Sequence, residues 1–449
     1  MVANPIGNFF MAAQGWSHND AEALNLFRNI APDLSVQSAE YVPTSRAQQA
    51  WLIKTHLGTR YILSLPASRG ATPLSLEKSS LVSESLLLCW LSSMPSYDDN
   101  AFFELQGDHE IIIRHGCLNY VSRSIPYLQK HAHHDFEKRR PEYLLTQPTD
   151  GIAISAMSGH LSREERSIIG YQSGCLVRRI CGHVSPNGKF GPVCNILQGH
   201  FKQPVDSGTK DGFHSWTLAF HWMLESVAKD LEGKGVMVPY IEIRGHLKRL
   251  LHVLGGVTRP SLVIMDGAED SNVLVKLEAP ENVGGNETRP RIPLSVLGDL
   301  SSNGISGGDG GMGGNDKGTH NSERSTRVGS MSVTGLRNWS NCIFGDPLMA
   351  IIFARELPPA FVRGLREPLP RHDPFVRTSP VQDPDRAEAR SALYQCFHGL
   401  VLIAQNFYHY RVPPDVPEEK DLQHVGRRLV KKALQRLDGI DDAGHVRGG

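Results

Sequence analysis

Asp266 and Asn272 mark the ends of a short acidic loop between two apolar runs, SLVIMD (Ser261–Asp266) and NVLVKLEA (Asn272–Ala279). An aspartate followed closely by an asparagine on such a loop suits one chemistry well. The carboxylate receives the proton of an attacking hydroxyl, and the amide oxygen holds Mg²⁺ for phosphoryl transfer. The same two residues also suit a plain polar hairpin turn, since Asp and Asn bond their own backbone and tolerate turn geometry. Spacing alone leaves both readings open, and the turn is the simpler one.

The elements around the loop are read from periodicity. TRYILSLP (Thr59–Pro66) is a short β-type run ended by proline, and SLEKSSLVSESLLLCWLSS is helical, with Leu81, Glu84 or Ser85, and Leu88 at helical spacing. HEIIIRH (His109–His115) and PEYLLTQ (Pro141–Gln147) read as strands. From Leu161 the pattern changes to long helices. Ser162 and Glu165 form a capping box that opens a helix through about Cys181, with a stripe of Ile168, Ile169, Cys175, Leu176 and Ile180. A second helix covers about Ser215–Leu231, and a third about Ile241–Leu254, stopped by Gly255-Gly256. Two more carry Leu393–Tyr408 and Leu422–Leu437. The expected organisation is a strand-rich part over 1–147 and a mainly helical part over 148–449.

Composition narrows the class. The chain has 449 residues, enough for a large core. The 47 lysines and arginines balance 47 aspartates and glutamates, which argues against gripping nucleic acid or an anionic membrane through the overall field. The 7 cysteines are an odd number, widely spaced, and read as free thiols in a reducing, cytoplasmic setting. The opening residues lack the basic and apolar regions of a secretory signal, and no apolar run reaches the roughly 18 residues that span a bilayer. Glycine is abundant, with 43 residues, and SSNGISGGDGGMGGNDKG (Ser301–Gly318) holds 8 of them. That stretch cannot bury enough apolar area to offset its ordering entropy, so about 281–326 is expected to be a mobile insertion.

Order along the chain favours the phosphoryl-transfer reading. Four segments, MSGHLSREERSIIGYQSGCLVRRI (Met157–Ile180), HSWTLAFHWMLESVAKD (His214–Asp230), VTRPSLVIMDGAEDSNVLV (Val257–Val275) and VTGLRNWSNCIFGDPLM (Val333–Met349), resemble the aminoglycoside phosphotransferase-like (phosphotransferase enzyme) family, closest to its fungal branch. The resemblance covers roughly 45–435. It implies an α+β, two-lobed protein kinase-like fold, with ATP- and Mg²⁺-dependent phosphorylation of a small-molecule hydroxyl. Carried over by position, Asp266 is the catalytic base and Asn272 the first metal ligand. Glu84 is the helix glutamate that braces a nucleotide-binding lysine. LLTQPTDG, with Leu145 and Gln147, is the hinge that holds adenine through backbone groups, and Asp346 braces the loop from below.

The chain departs from that pattern at several positions. Ser64 stands where the family places its basic residue. The metal-binding aspartate falls at Asn338, a neutral and weaker donor. PTSRAQQAW (Pro43–Trp51), at the phosphate-covering turn, has no glycine, and Ile264 replaces a histidine two positions before the base. The Asp–Asn separation is six residues rather than five, and Asp270 in the longer loop is available as a compensating carboxylate. Arg46 or Lys54 is available to serve the phosphates. Two readings follow: a small-molecule kinase or an enzyme derived from one, and a catalytically impaired pseudokinase that binds a metabolite or a protein.

Other clusters are weaker. His131, His133, His134 and Asp135 suit a metal but read more simply as a solvated loop. Cys181, His183, Cys194 and His200 loosely suit zinc, yet the intervening SPNGKFGP suits a helix end and turn. Arg427, Arg428, Lys431, Lys432 and Arg436 give the last helix a basic face, either solvated or a surface for a protein partner.

Overall fold

Alternating side chains and a tight turn make the first sheet. The computed structural model describes residues 20–42, 47–67, 71–93, 143–200, 211–277, 331–367, 379–409 and 417–447. β2 (Gln48–Thr55) and β3 (Arg60–Ala67) pair antiparallel across a turn in which Gly58 takes a φ of +79°. β1 (Val36–Tyr41) pairs with β2, and β4 (Leu144–Thr146) with β3, giving the order β1-β2-β3-β4. Trp51, Ile53, Tyr61, Leu63 and Leu145 on one face of this sheet bury against Phe27 of α1 (Asp20–Ile30).

Two small sheets follow. β5 (Ile152–Ala153), β8 (Val273–Leu277) and β9 (Met331–Leu336) run in the order β5-β8-β9. β6 (Gly191–Pro192), β10 (Cys342–Gly345) and β7 (Ser261–Ile264) run in the order β6-β10-β7. Their inward faces share a core with α2 (Ser80–Ser93), the short α3 (Ile154–Met157), α4 (Arg163–Gly182) and α5 (Val193–His200). Leu86, Leu87, Leu88, Trp90 and Leu91 of α2 lie in that core, not in the core of the first sheet. The division expected near residue 147 falls in the connection between β4 and β5.

The largest core joins α6 (Trp216–Gly233), α7 (Tyr240–Leu254), α8 (Pro359–Arg366), α9 (Ala387–Tyr408) and α10 (Pro417–Asp438). Ser162 caps α4 and Glu165 returns the bond, so the expected capping box forms. Ser215 caps α6, whose Trp216, Phe220, Met223, Leu224, Val227 and Leu231 are all buried as their spacing requires. α4 and α8 meet at two glycines. A Cβ on Gly174 would lie 2.2 Å from Phe361 O, and one on Gly364 2.0 Å from Tyr171 O, so neither position admits a side chain.

Residues 71–79 strap the start of α2 to the helices. Thr72 N–H donates to Tyr408 O, Ser75 donates through N and Oγ to Asp230, and the buried Glu77 carboxylate pairs with His409 at 2.5 Å. Burial of Leu74 completes the attachment.

The chain is a mixture of helices and short strands, as its patterning suggests. α1, β1, β9 and β10 lacked a clear sequence signal. Gln48–Trp51, expected within a turn, belongs to β2. His109–His115, His131–Asp135, Arg46 and the glycine-rich stretch at about 281–326 lie outside the described residues. Among the described residues no helix is long and apolar enough to cross a membrane.

Candidate active site

Asp266 follows β7 at a point where the backbone is held from two sides. Met265 N–H donates to Asn341 O at 2.9 Å, and Ile351 N–H donates to Met265 O at 2.7 Å. The loop then closes on itself: Glu269 N–H donates to Asp266 O, and Asn272 and Val273 N–H to Glu269 O. Ser155 N–H holds Asp270 O. The acidic stretch is therefore a turn wound on its own backbone bonds, and β8 begins directly after it.

Asn272 is the centre of the site. Its Nδ2 donates to Asp266 O at 3.3 Å and to Asn338 O at 3.1 Å, and its Oδ1 accepts from Arg337 N–H at 3.1 Å and Asn338 N–H at 2.7 Å. The amide thus joins the Asp266 loop to the 337–338 turn across the end of the β8–β9 pair. Both lone pairs of its oxygen are occupied, so ligation of a metal by Asn272 would require one N–H donor to withdraw. Asn338 Oδ1 accepts one bond, from Ser340 N–H at 2.8 Å, and keeps acceptor capacity.

Glu84 reaches the same turn from α2. It is buried, and its Oε1 accepts from Trp339 N–H at 3.3 Å. Burial pushes its carboxyl up to about 7; the Trp339 bond opposes the shift and the negative Asp266 adds to it. A glutamate in this setting is bound to the turn rather than to a lysine. Ser64 lies on β3, and no hydrogen bond or ion pair joins it to Glu84 or Asp266 among the described residues. Lys54 is taken by Glu40 at 2.8 Å.

Leu145 is buried in the first core and contributes only its backbone, on a strand that is the edge of its sheet among the described residues. Gln147 follows in the crossing from β4 to β5, where Arg60 pairs with Asp150 and Thr334 Oγ1 donates to Asp150 O. Gly151, at φ +137°, has no room for a Cβ beside Thr334. This crossing links the first sheet to the sheet that carries Asn272.

Asp346 braces the loop indirectly. Fully buried, it accepts from Arg390 Nε and Tyr394 Oη, each at 2.8 Å, and caps the turn Pro347–Met349 through Leu348 N–H. That turn delivers Ile351 to Met265. Burial pushes the Asp346 carboxyl upward, against the pull of Arg390 and Tyr394.

Sequence reasoning missed Glu269, Arg355 and Arg337. Glu269 is buried beside the loop, 3.2 Å from Arg355, and desolvation with the nearby Asp270 and Asp266 charges lifts it to about 7. An acidic residue next to Asp270 gives no sign in the sequence of which of the two turns inward. From Cys181 the chain leaves the end of α4, turns through 183–190 and passes β6 into α5, which carries Cys194 and His200: Cys181 is a buried thiol pushed up to about 12, and Cys194 is buried against Ser79 and Asn195. On α10, Arg427 bonds Met237 O and Arg436 bonds Glu388 and Gln395, so part of the basic face is tied down.

No protein-family model and no curated protein sequence matches the chain. Among solved structures it is similar to a candidate aminoglycoside phosphotransferase from Ralstonia eutropha JMP134, at 10% identity, 93% of this chain and 98% of that one, with a TM-score of 0.43. A candidate fructosamine-3-kinase from Thermobifida fusca gives 12% identity, 93% and 100% coverage, and a TM-score of 0.40. A macrolide 2'-phosphotransferase from Brachybacterium faecium gives 11% identity, 94% and 99% coverage, and a TM-score of 0.36. At this level of similarity, function rests on the residues themselves.

Proposed function

We propose that the Asp266 site is a phosphotransferase-type site that acts on a small-molecule hydroxyl, or a chemistry derived from it. Asp266 would accept the hydroxyl proton. The observation that supports this most directly is the Asn272 amide, which fixes the backbone of the base against the Asn338 turn. ATP is the proposed phosphoryl donor, with Asp270 and Asn338 the residues that would draw in Mg²⁺. Bound there, the ion would neutralise charge on the phosphates. Hard oxygen donors of this kind fit Mg²⁺, though with one carboxylate in place of two.

A second reading, a catalytically impaired binding protein, is favoured by the same amide. Asn272 is occupied by backbone donors, and Ser64 supplies no charge. Thermal denaturation with ATP, with and without Mg²⁺ or Mn²⁺, separates the two when combined with a phosphate-transfer assay over a panel of hydroxyl compounds. Metal-dependent stabilisation with turnover that Asp266→Asn abolishes supports the first. Stabilisation without turnover on any acceptor supports the second. A chain that shows neither stabilisation by ATP nor turnover on any acceptor refutes the first and leaves a binding protein for another metabolite or for a protein.

A further inference from the structure

A cavity of about 920 Å³ opens among the later helices, within the size range of small-molecule sites. Its walls come from the end of α4, from α8, α9 and α10, and from the connecting stretches at 348–357 and 379–384. Among the described residues, none of the first sheet, the Asp266 loop or the 337–338 turn lines it. It is a second place for a ligand and not part of the Asp266 cluster.

The chain carries no net charge, but this cavity is basic. Arg178, Arg355, Arg366, Lys432 and Arg436 line it, against the carboxylates of Glu356 and Glu388. Glu388 is already taken, since Arg436 donates to it through Nε at 2.9 Å and Nη2 at 2.6 Å. Those bonds, and one from Arg436 Nη1 to Gln395 at 2.7 Å, fix that guanidinium at the wall. Arg178 is 7% exposed and is fixed as well, with Nη1 donating to Leu365 O at 2.8 Å and to Arg366 O at 3.2 Å. Arg366 and Lys432 are exposed and meet no carboxylate among the described residues. Like charges gathered around a concave wall of low dielectric add their fields, so the cavity attracts an anion. Between the cations the wall is apolar: Phe353, Leu357 and Val381 are half-buried and pack on the largest core behind them.

Arg355 stands in both places. It lines the cavity, and its Nη2 lies 3.2 Å from Glu269 Oε1 in the Asp266 loop. An anion in the cavity would draw on the guanidinium that pairs with the loop.

We propose that this cavity binds a small organic anion, a carboxylate or phosphate group on an apolar body. The cations take the acidic group by charge-assisted hydrogen bonds, and Phe353, Leu357 and Val381 cover the body. The proposal requires no phosphoryl transfer at Asp266.

The test uses the full chain, with 3-phenylpropionate, octanoate and phenyl phosphate as probes and 3-phenylpropanol, octanol and phenol as their neutral counterparts. Binding is read by NMR titration of each compound. The wild type is expected to bind at least one acidic probe, and more tightly than its neutral counterpart. Arg366→Gln and Lys432→Gln are surface changes on different helices, and together they are expected to leave the melting temperature unchanged. The double variant is expected to bind that probe about tenfold or more weakly, with the neutral counterpart unaffected. Asp266→Asn is expected to bind it as the wild type does. Preference for phenyl phosphate identifies a phosphate ligand, and preference for the other two acids a carboxylate one. Absence of binding by every acidic probe overturns the proposal, as does equal affinity for the neutral counterparts or undiminished affinity in the double variant. A double variant that melts well below wild type also overturns it, because the cations then serve the fold. So does loss of binding in Asp266→Asn, because the probe then sits at the loop. Binding that depends on Arg366 and Lys432 without turnover on any acceptor refutes transfer at Asp266 and leaves this proposal standing. Turnover in a chain that binds no probe does the reverse.

Discussion

One side-chain amide holds Asn338 at both ends of its backbone: Asn272 Oδ1 accepts the Asn338 N–H at 2.7 Å, and Asn272 Nδ2 donates to the Asn338 carbonyl at 3.1 Å. The amide pairs with that residue much as a neighbouring strand would. Asn272→Ala removes these bonds and those to Asp266 and Arg337, leaving buried backbone groups without partners. It is expected to cost about 2–4 kcal/mol, at about 1 kcal/mol per bond, in urea denaturation at pH 7. A cost within error of zero would mean that water replaces the amide and that the clamp does not set the loop.

Asn338→Asp should fold normally, since a carboxylate can accept the Ser340 N–H as the amide does. A carboxylate is also the better ligand for a hard cation. Mg²⁺-dependent nucleotide affinity is therefore expected to rise in this variant, measured by titration at fixed ionic strength. If the wild type binds MgATP and the variant binds it no better, the metal does not reach the 338 turn.

Glu84 gives the fold a pH dependence of known sign. Its carboxyl is raised from 4.5 to about 7 in the folded state. The folded chain then holds a proton that the unfolded chain releases, so this contribution is complete below about pH 4.5 and is lost as pH rises through 7. Glu84→Gln is expected to flatten the decline between pH 5 and 8, by up to roughly 3 kcal/mol across the window. Parallel wild-type and variant profiles would show that Glu84 is ionised in the folded chain.

Phe397 is 1% exposed and packs on Phe220 with ring centroids 6.1 Å apart. Phe397→Ala should cost about 3–5 kcal/mol. A loss under about 1 kcal/mol by chemical denaturation would place α9 at the margin of the core rather than within it.

What the sequence reveals depends on how local its cause is. Ser162 and Glu165 act within one turn, and the Trp216–Leu231 face repeats over about four turns, so α4 and α6 are plain in the text of the chain. Asp266, Asn272 and Asn338 draw notice by type and order, and the structure brings them into one cluster with Glu84. Their partners are another matter. The Asn272 bonds to 337 and 338 depend on β8 pairing with a strand about sixty residues away, which no local pattern encodes. Lys54 looks available for phosphates until the β1–β2 register sets Glu40 opposite Leu52 and so diagonally within reach of the lysine. α2 reads as a companion of the first sheet because it follows β3 in sequence, yet its leucines have their partners far downstream.

The position of β4 has a further consequence. The first sheet takes its fourth strand from residues 144–146, while the strap at 71–79 and the leucines of α2 belong with the later part of the chain. A break between residues 67 and 71 would therefore not separate strands from helices cleanly. It would leave one fragment with three strands and an open edge at β3, and the other carrying the donor strand that fills it. Two such fragments, expressed apart, should find each other through that vacancy. The smaller one alone should be prone to self-association along the same edge.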